Sequence, residues 1–324
     1  MSTKKNVLAL LESERGISLS GENIAQRLGV TRAAVWKAVK ELQKQGYSIK
    51  AVTNRGYVLG EENDILSAEG IRPFLVSQYA AEVVVHDVVE STNTIAKEMA
   101  VAGAAHGTVV IAKEQTAGRG RYNRVFASPA GSGIYMSFIL RPAEWLMKNI
   151  LLATHHAAVC VCEAIEAVTT KQPKIKWVND VFLAGRKVCG ISTEAMTDFE
   201  SGQIAWIVVG IGINHTQPMC LPPEFREIVG AVFSDGEPLV TKNKLAAEVI
   251  NRVVFPLYDV ESELIAEYRK RMLAIGQVVE VKDENPYNAL VIDVEEAGRL
   301  VVRRESGEVE VLQAGEISIN VNLN

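Results

Sequence analysis

The sequence predicts an α+β protein in three parts: a winged helix-turn-helix at the N-terminus, a mixed α/β central domain and a small C-terminal β-barrel. Three observations predict it. Capped helical segments crowd the front of the chain, strand-like and helix-like runs follow each other irregularly from about Tyr79, and from Gly276 apolar and polar residues alternate between glycine-bearing turns. A chain of 324 residues, 48% hydrophobic, has room for more than one core at roughly 100 to 200 residues per domain. The boundaries fall at 1–62, 63–272 and 273–324, the first of them in the acidic "EENDILSAEGIRPFL".

The front of the chain reads as two short helices across a tight turn. "SGENIAQRLGV" offers Ser20 as cap, Ile24, Ala25 and Leu28 as an apolar stripe and Gly29 as terminator. Thr31 then caps "RAAVWKAVKELQKQG", which turns Val35, Ala38, Val39 and Leu42 inward and leaves Arg32, Trp36, Lys37, Lys40 and Lys44 outward. "YSIKAVTNRGYVLG" completes a winged helix as a hairpin with Asn54, Arg55 and Gly56 at its tip. Residues 1–60 hold ten Lys/Arg against four Asp/Glu, whereas the rest of the chain holds 24 against 35. A basic unit on an acidic body predicts DNA binding through Thr31, Arg32, Trp36, Lys37 and Lys40, since phosphate contacts need exposed cations and base readout needs a helix in the major groove.

No stretch reaches the roughly 18 uninterrupted apolar residues of a membrane span, and the N-terminus lacks a cleavable leader, so a cytoplasmic protein that meets no membrane is the expectation. Cys160, Cys162, Cys189 and Cys220 show no zinc-type pairing and read as buried free thiols.

In the central domain, polar groups stand at strand ends. "ESTN" follows a strand, with Ser91 a plausible helix cap; "GRGRYNR" places Arg119, Arg121 and Arg124 among glycines; "KIKWVND" reads as a strand ending in Asn179 and Asp180. Arg186 and Lys187 follow a hairpin turn, and in "VVGIGINH" Gly210 and Gly212 weaken an apolar strand as if something must approach closely, with Asn214 at its exit. The arginine loop is neither a P-loop nor a dinucleotide fingerprint. Fixed cations of this kind suit the attack of a carboxylate on the α-phosphate of ATP, where two anions must be brought together.

"STN" (Ser91 to Asn93), "Q-x-x-GRGR-x-x-R" (Gln115 to Arg124), "KW-x-ND" (Lys176 to Asp180), "RK-x-x-GI-x-x-E" (Arg186 to Glu194) and "GIGIN" (Gly210 to Asn214), in this order behind a winged helix, resemble the bacterial biotin–protein ligases of the bifunctional repressor type. The resemblance spans nearly the whole chain. It implies a central domain of the biotin/lipoate ligase type, an SH3-like C-terminal barrel, activation of biotin with ATP and Mg²⁺ to biotinyl-5′-AMP, and transfer to a lysine of biotin carboxyl carrier protein. It also implies repression of biotin genes at an operator, with a homodimer forming when the adenylate is bound.

Carried over by position, the resemblance implies that Ser91, Thr92, Asn93 and Gln115 hold biotin's ring and ureido atoms, with Gly190 admitting a close approach. Gly118, Arg119, Gly120 and Arg121 form a loop, mobile when empty, that closes on biotin and its adenylate. Lys187 binds carboxylate and phosphate oxygens, and Asn214 meets the adenine. Asp180, with Lys176, orients the acceptor lysine or helps hold Mg²⁺; the metal ligands themselves are not identified. The family commonly has tryptophan where this chain has Phe126 and proline where it has Val178. Two alternatives stand beside this reading: a non-catalytic biotin-sensing regulator, which retention of Lys187 and the arginines opposes, and a lipoate-type ligase, which "GRGR" in place of a glycine-only loop opposes.

Overall fold

The computed structural model describes residues 2–53, 55–76, 82–141, 149–198, 200, 202–218, 221, 223–234, 237, 240–255, 260–282, 285–313 and 316–319. Asn54 at the wing tip and Cys220 lie outside the described residues. The chain divides into two compact units, Met1–Gln78 with Val240–Glu248, and Tyr79–Leu239 with Val249–Asn324.

The first unit is built from α1 (Thr3–Ser13), α2 (Gly21–Leu28), α3 (Arg32–Lys44) and a hairpin of β1 (Ile49–Val52) and β2 (Gly56–Leu59). The caps read from the sequence are made: Ser20 Oγ accepts from Asn23 N at 3.0 Å and Thr31 Oγ1 from Ala34 N at 3.2 Å, each satisfying an otherwise orphaned donor. Gly29 ends α2 at φ 64°, ψ 35°, the left-handed geometry that closes a helix with little cost only at glycine. Val7, Leu8, Leu11, Ile24, Val35, Val39, Leu42 and Leu59 form its core. Leu19 pairs with Tyr57 and so adds a bridge to the wing hairpin, and a Cβ on Gly56 would stand 2.0 Å from Leu19 O. A short helix, α4 (Ala68–Ile71), and the first turns of α7 (Lys242–Val253) complete the unit: Asn243, fully buried, accepts from Ser67 N at 3.0 Å and donates to Ile65 O at 2.9 Å.

The second unit is organised on a seven-stranded mixed sheet, in the order β3 (Val83–Val89), β4 (Thr108–Gln115), β5 (Gly133–Leu140), β9 (Ile204–Asn214), β8 (Arg186–Thr197), β7 (Asp180–Leu183), β6 (Lys174–Lys176). Only β3 and β4 run parallel; the other neighbours are antiparallel hairpin partners, as the short connections in the sequence require. On one face α5 (Thr92–Val101) sets Ala96 and Ala100 against Val110, Ile139 and Val208. The helix α6 (Ile150–Val168) packs against β8 and β9 with most of its residues buried, Cys160 and Cys162 among them. It is long and apolar enough to cross a membrane by length and composition, but 72% of that window is buried inside the protein. Cys160, Cys162 and Cys189 are free and buried, as expected.

One expectation is corrected. The strand read as running to Asp180 stops at Lys176, because Trp177 to Asn179 form the turn that lets Lys176 pair antiparallel with Asp180, the first residue of β7. The Trp177–Val178 peptide in that turn is cis. After Thr241 the chain forms two helices, α7 and α8 (Glu261–Arg271), with the helix-breaking Pro256 between them in the sequence.

The C-terminal residues form an antiparallel five-stranded sheet in the order β13 (Val309–Leu312), β12 (Leu300–Arg304), β11 (Tyr287–Val294), β10 (Val278–Lys282), β14 (Glu316–Ile319). Its β11–β12 turn is tied to the larger sheet and to α6. Trp177 Nε1 donates to Gly298 O at 3.2 Å, Asn149 Nδ2 donates to Ala297 O at 2.7 Å, and Arg269 pairs with Asp293 at 2.8 Å. His155 lies under this turn, its ring 4.0 Å from that of Tyr268 and its Nδ1 2.6 Å from Leu151 O.

Burial pushes the pKa of both His155 and His156 down from 6.5 to about 4. Below the unfolded value the unfolded chain takes up protons that the folded chain refuses, so stability present above about pH 6.5 is lost as the pH falls toward 4, by up to about 2 kcal/mol per histidine at pH 5. Thermal unfolding at pH 7 and pH 5 should show this loss, and His155→Gln should flatten it; an equal pH dependence in both proteins would contradict the assignment.

Candidate active site

The face of the large sheet that carries α5 is only partly covered by it. Along β9 the residues on that face are Val208, Gly210 and Gly212, in register with Ser137 and Tyr135 on β5 and with Ser192 and Gly190 on β8. Val208 is packed under α5; beyond it the side chains stop. What stands over the glycines belongs to the chain itself. A Cβ at Gly210 would lie 2.3 Å from Asn93 Oδ1, and one at Gly212 would lie 2.3 Å and 2.5 Å from two ring carbons of Phe126. A Cβ at Gly190 would face the same ring, 3.1 Å from its Cε2, and the Nζ of Lys187 at 3.2 Å. The close approach that the glycines announce is therefore made by Asn93 and Phe126.

Asn93 stands in the first turn of α5, whose N-cap is Ser91. Contrary to the capping expectation, Ser91 makes no side-chain cap bond; the side chain of Gln115, at the end of β4, takes the role by accepting from Thr92 N at 2.9 Å. The substitution leaves the Ser91 hydroxyl in the wall of a cavity of about 410 Å³ that Asn93, Lys97, Arg119, Gly120, Arg121, Ser192 and Glu194 also line. Thr92 lies below this wall, 3% exposed, its hydroxyl 3.1 Å from Gln115 Oε1 and 2.7 Å from Ser137 Oγ.

The arginine loop closes on itself. Arg119 bridges Val125, Gly120 N donates to Arg124 O at 2.8 Å, and Phe126 N donates to Gly118 O at 2.9 Å. Gly118 is required at the base, since a Cβ there would meet Phe126 O at 2.5 Å and Ser128 Oγ at 2.6 Å. Tyr122 adopts φ 54°, ψ 33°, uncommon for a residue with a side chain, and is 65% exposed with the Arg121 guanidinium 5.1 Å from its ring centre. Arg121 reaches Asn179 Oδ1 at 3.4 Å, which brings the loop to the β6–β7 turn.

At the other end of the glycine floor, Lys187 Nζ pairs with Asp180 Oδ1 at 2.7 Å, both side chains about a quarter exposed. Asn214, 5% exposed, donates from Nδ2 to Lys187 O at 3.4 Å and so supports that lysine's main chain. Ser91, Asn93, Arg119, Gly120 and Arg121 thus share one cavity. Gln115, Thr92 and Gly118 lie behind it, and Asp180, Lys187, Gly190 and Asn214 gather beyond Phe126.

Sequence reasoning missed Ser137, Ser192, Lys97 and the use of Glu194. Lys97 Nζ is 2.8 Å from Glu194 Oε2, and Asn93 Nδ2 is 3.0 Å from Glu194 Oε1. Partial burial would raise the Glu194 carboxyl, but hydrogen bonds from Lys97 and Asn93 hold it below the ordinary glutamate value. The available signal was a serine on the glycine face of two apolar strands, at Ser137 in "GIYMSFIL" and Ser192 in "CGISTEAM".

On the first unit, Thr31, Arg32, Trp36, Lys37, Lys40 and Lys44 are all exposed on α3, Trp36 by 56%. The apolar face of the helix is spent on the core, so the outward face presents an aromatic ring among cations.

Residues 85–214 match the biotin/lipoate A/B protein ligase family, and residues 3–58 match an HTH domain family. The Bifunctional ligase/repressor BirA of Bacillus subtilis (strain 168) is 40% identical over 227 residues, 69% of this chain and 69% of that one. The Bifunctional ligase/repressor BirA of Escherichia coli (strain K12) is 27% identical over 320 residues, covering 93% and 92%. Among solved structures, the biotin protein ligase from Aquifex aeolicus in complex with biotin and ATP is 25% identical with a TM-score of 0.59, over 73% of this chain and 97% of that one. Fold and site together define a winged-helix protein whose second unit holds a cation-lined cavity on a half-covered sheet. The chain belongs to the biotin/lipoate A/B protein ligase family, in its bifunctional ligase/repressor group.

Gly212→Ala should displace the Phe126 ring, and removal of the ring should relieve the strain. A double-mutant cycle of Gly212→Ala with Phe126→Ala, read by denaturant unfolding, is expected to give a coupling of about 1 kcal/mol or more; additive effects would show that the ring does not rest on the glycine.

Proposed function

We propose that this protein activates biotin with MgATP to biotinyl-5′-AMP, transfers the biotinyl group to a lysine of biotin carboxyl carrier protein, and represses biotin genes through its winged helix. The observation that carries the reading is the floor of Gly210 and Gly212 with polar groups at one end and Lys187 at the other. A ring with a polar edge and a flexible acid chain fits such a trough lengthwise.

In this reading Ser91, Asn93 and Gln115, with Thr92 behind them, receive the ring end. The acid chain runs over Gly212 and Gly190 once Phe126 lifts away, and its carboxylate meets Lys187. Arg119 and Arg121, on the loop founded at Gly118 and Gly120, close over the ligand and steady the phosphate charge. A carboxylate oxygen then attacks the α-phosphorus, and pyrophosphate leaves. In the second half-reaction the acceptor amine attacks the acyl carbon, and AMP leaves with the C–O bond electrons. Lys187 serves both steps by offsetting negative charge, while Asp180, released from Lys187 by the incoming anion, orients the acceptor amine. Mg²⁺, when bound, would offset the triphosphate charge, and Asp180, beside Lys187, is the carboxylate that would help hold it. Asn214 lies where the adenine would reach the end of β9.

Residues 1–62 act as the operator-reading part, using Thr31, Arg32, Trp36, Lys37 and Lys40. Adenylate-bound protein forms a homodimer that binds a two-part operator, because only a ligand that distinguishes two states can shift them.

Mixing the protein with MgATP, biotin and apo-acceptor should yield biotinylated acceptor and biotin-dependent pyrophosphate exchange; absence of both would sink the enzyme reading. Lys187→Ala should cut adenylate formation by about a hundredfold, the scale of losing one charge-stabilising group. Arg121→Ala should speed adenylate release, and an unchanged dissociation rate would remove Arg121 from the closing loop. A chain lacking residues 1–62 should lose operator binding while keeping ligation.

A further inference from the structure

We infer that Glu194 is a positioning residue that, with Lys97, fixes which way the Asn93 amide faces and thereby makes Ser192 a hydrogen-bond donor to the ring end of the substrate. The inference rests on the functional reading above, in which biotin's ring end occupies the cavity lined by Asn93, Ser192 and Glu194.

The reasoning is one of donors and acceptors. A carboxylate only accepts, and an ammonium only donates. Lys97 Nζ lies 2.8 Å from Glu194 Oε2, and the nitrogen of the Asn93 amide must face Glu194 Oε1 at 3.0 Å. The amide oxygen is thereby turned to Ser137 Oγ at 2.6 Å. Ser137 gives its one proton to that oxygen, and its Oγ also lies 2.7 Å from the Thr92 hydroxyl, which is itself 3.1 Å from Gln115 Oε1. Asn93 Nδ2 also reaches Ser192 Oγ at 3.2 Å. Ser192 accepts there, and its own proton turns to the cavity, where the carbonyl oxygen of a ureido group can receive it.

Glu194→Gln tests the direction rather than the presence of these contacts. Lys97 claims the one carbonyl oxygen of the glutamine, so the new amide nitrogen faces the nitrogen of Asn93, and Asn93 has to turn round. Ser192 then donates to Asn93 and offers the cavity only lone pairs. Side-chain exposure of 39% at Lys97 and 46% at Glu194 makes the pair itself a weak contributor to stability, so the fold should survive the change.

Biotin affinity is measured by calorimetry on the full chain, beside steady-state ligation of apo-acceptor. Glu194→Gln should weaken biotin binding and raise the biotin KM about fivefold, the scale of one net hydrogen bond, with kcat and the KM for ATP within about twofold of the parent. Ser192→Ala should weaken biotin binding to a similar extent, and adding Glu194→Gln to Ser192→Ala should cost little more, since both changes remove the same donor. An unchanged biotin affinity in Glu194→Gln, or fully additive losses in the Ser192→Ala, Glu194→Gln double variant, overturns the inference. A parent chain that binds biotin yet labels no acceptor would defeat the ligase reading instead and leave the affinity comparison to decide this one.

Discussion

A strand of the central sheet loses its side chains halfway along one face, and the rest of the second unit is arranged around that fact. Val208 is covered by α5, but Gly210 and Gly212, two and four residues further on, leave bare backbone where α5 has ended. Bare sheet in the interior of a domain is costly unless something fills it. Asn93 and Phe126 fill it from opposite ends, one fixed on the first turn of a helix and the other on a loop. The first is a permanent wall. The second stands on a loop held at its base by backbone bonds at Gly118 and Arg119, and in the proposed function it gives way to the ligand.

Charge follows the same plan. The cations of the site are not spread over a surface but set at the ends of the floor, Arg119 and Arg121 at the cavity and Lys187 beside Asp180. Arginine's fixed fork suits a phosphoryl group held for the length of a reaction, whereas a lysine paired to a carboxylate can change partners. The cations proposed to meet DNA are elsewhere, on the outward face of α3, opposite the face that buries Val35, Val39 and Leu42 in the core.

The parts legible in the sequence were those decided locally. Ser20, Gly29 and Thr31 mark a helix-turn-helix because capping and left-handed termination depend on a few adjacent residues. The motifs "STN", "GRGR", "KWVND" and "GIGIN" stand at strand ends, which is where the fold puts them. What escaped were relations between distant strands. Ser137 and Ser192 read as polar interruptions in apolar strands until register shows both flanking Gly210. Ser91 read as a helix cap because nothing nearby in the sequence says that Gln115, 23 residues from Thr92, will do the capping. The turn at Trp177 to Asn179 was read as strand, since an apolar run carries no local sign of reversing within three residues.

The central claim is that Phe126 rests on the Gly190–Gly212 pair and yields that place to the ligand. A fluorine label on the Phe126 ring, followed by nuclear magnetic resonance before and after saturation with biotin and ATP, reads this directly. A resonance from a half-buried ring that moves to a new environment when the ligands bind is the predicted result. A resonance that stays where it was under saturating ligand would contradict the assignment of the glycine floor.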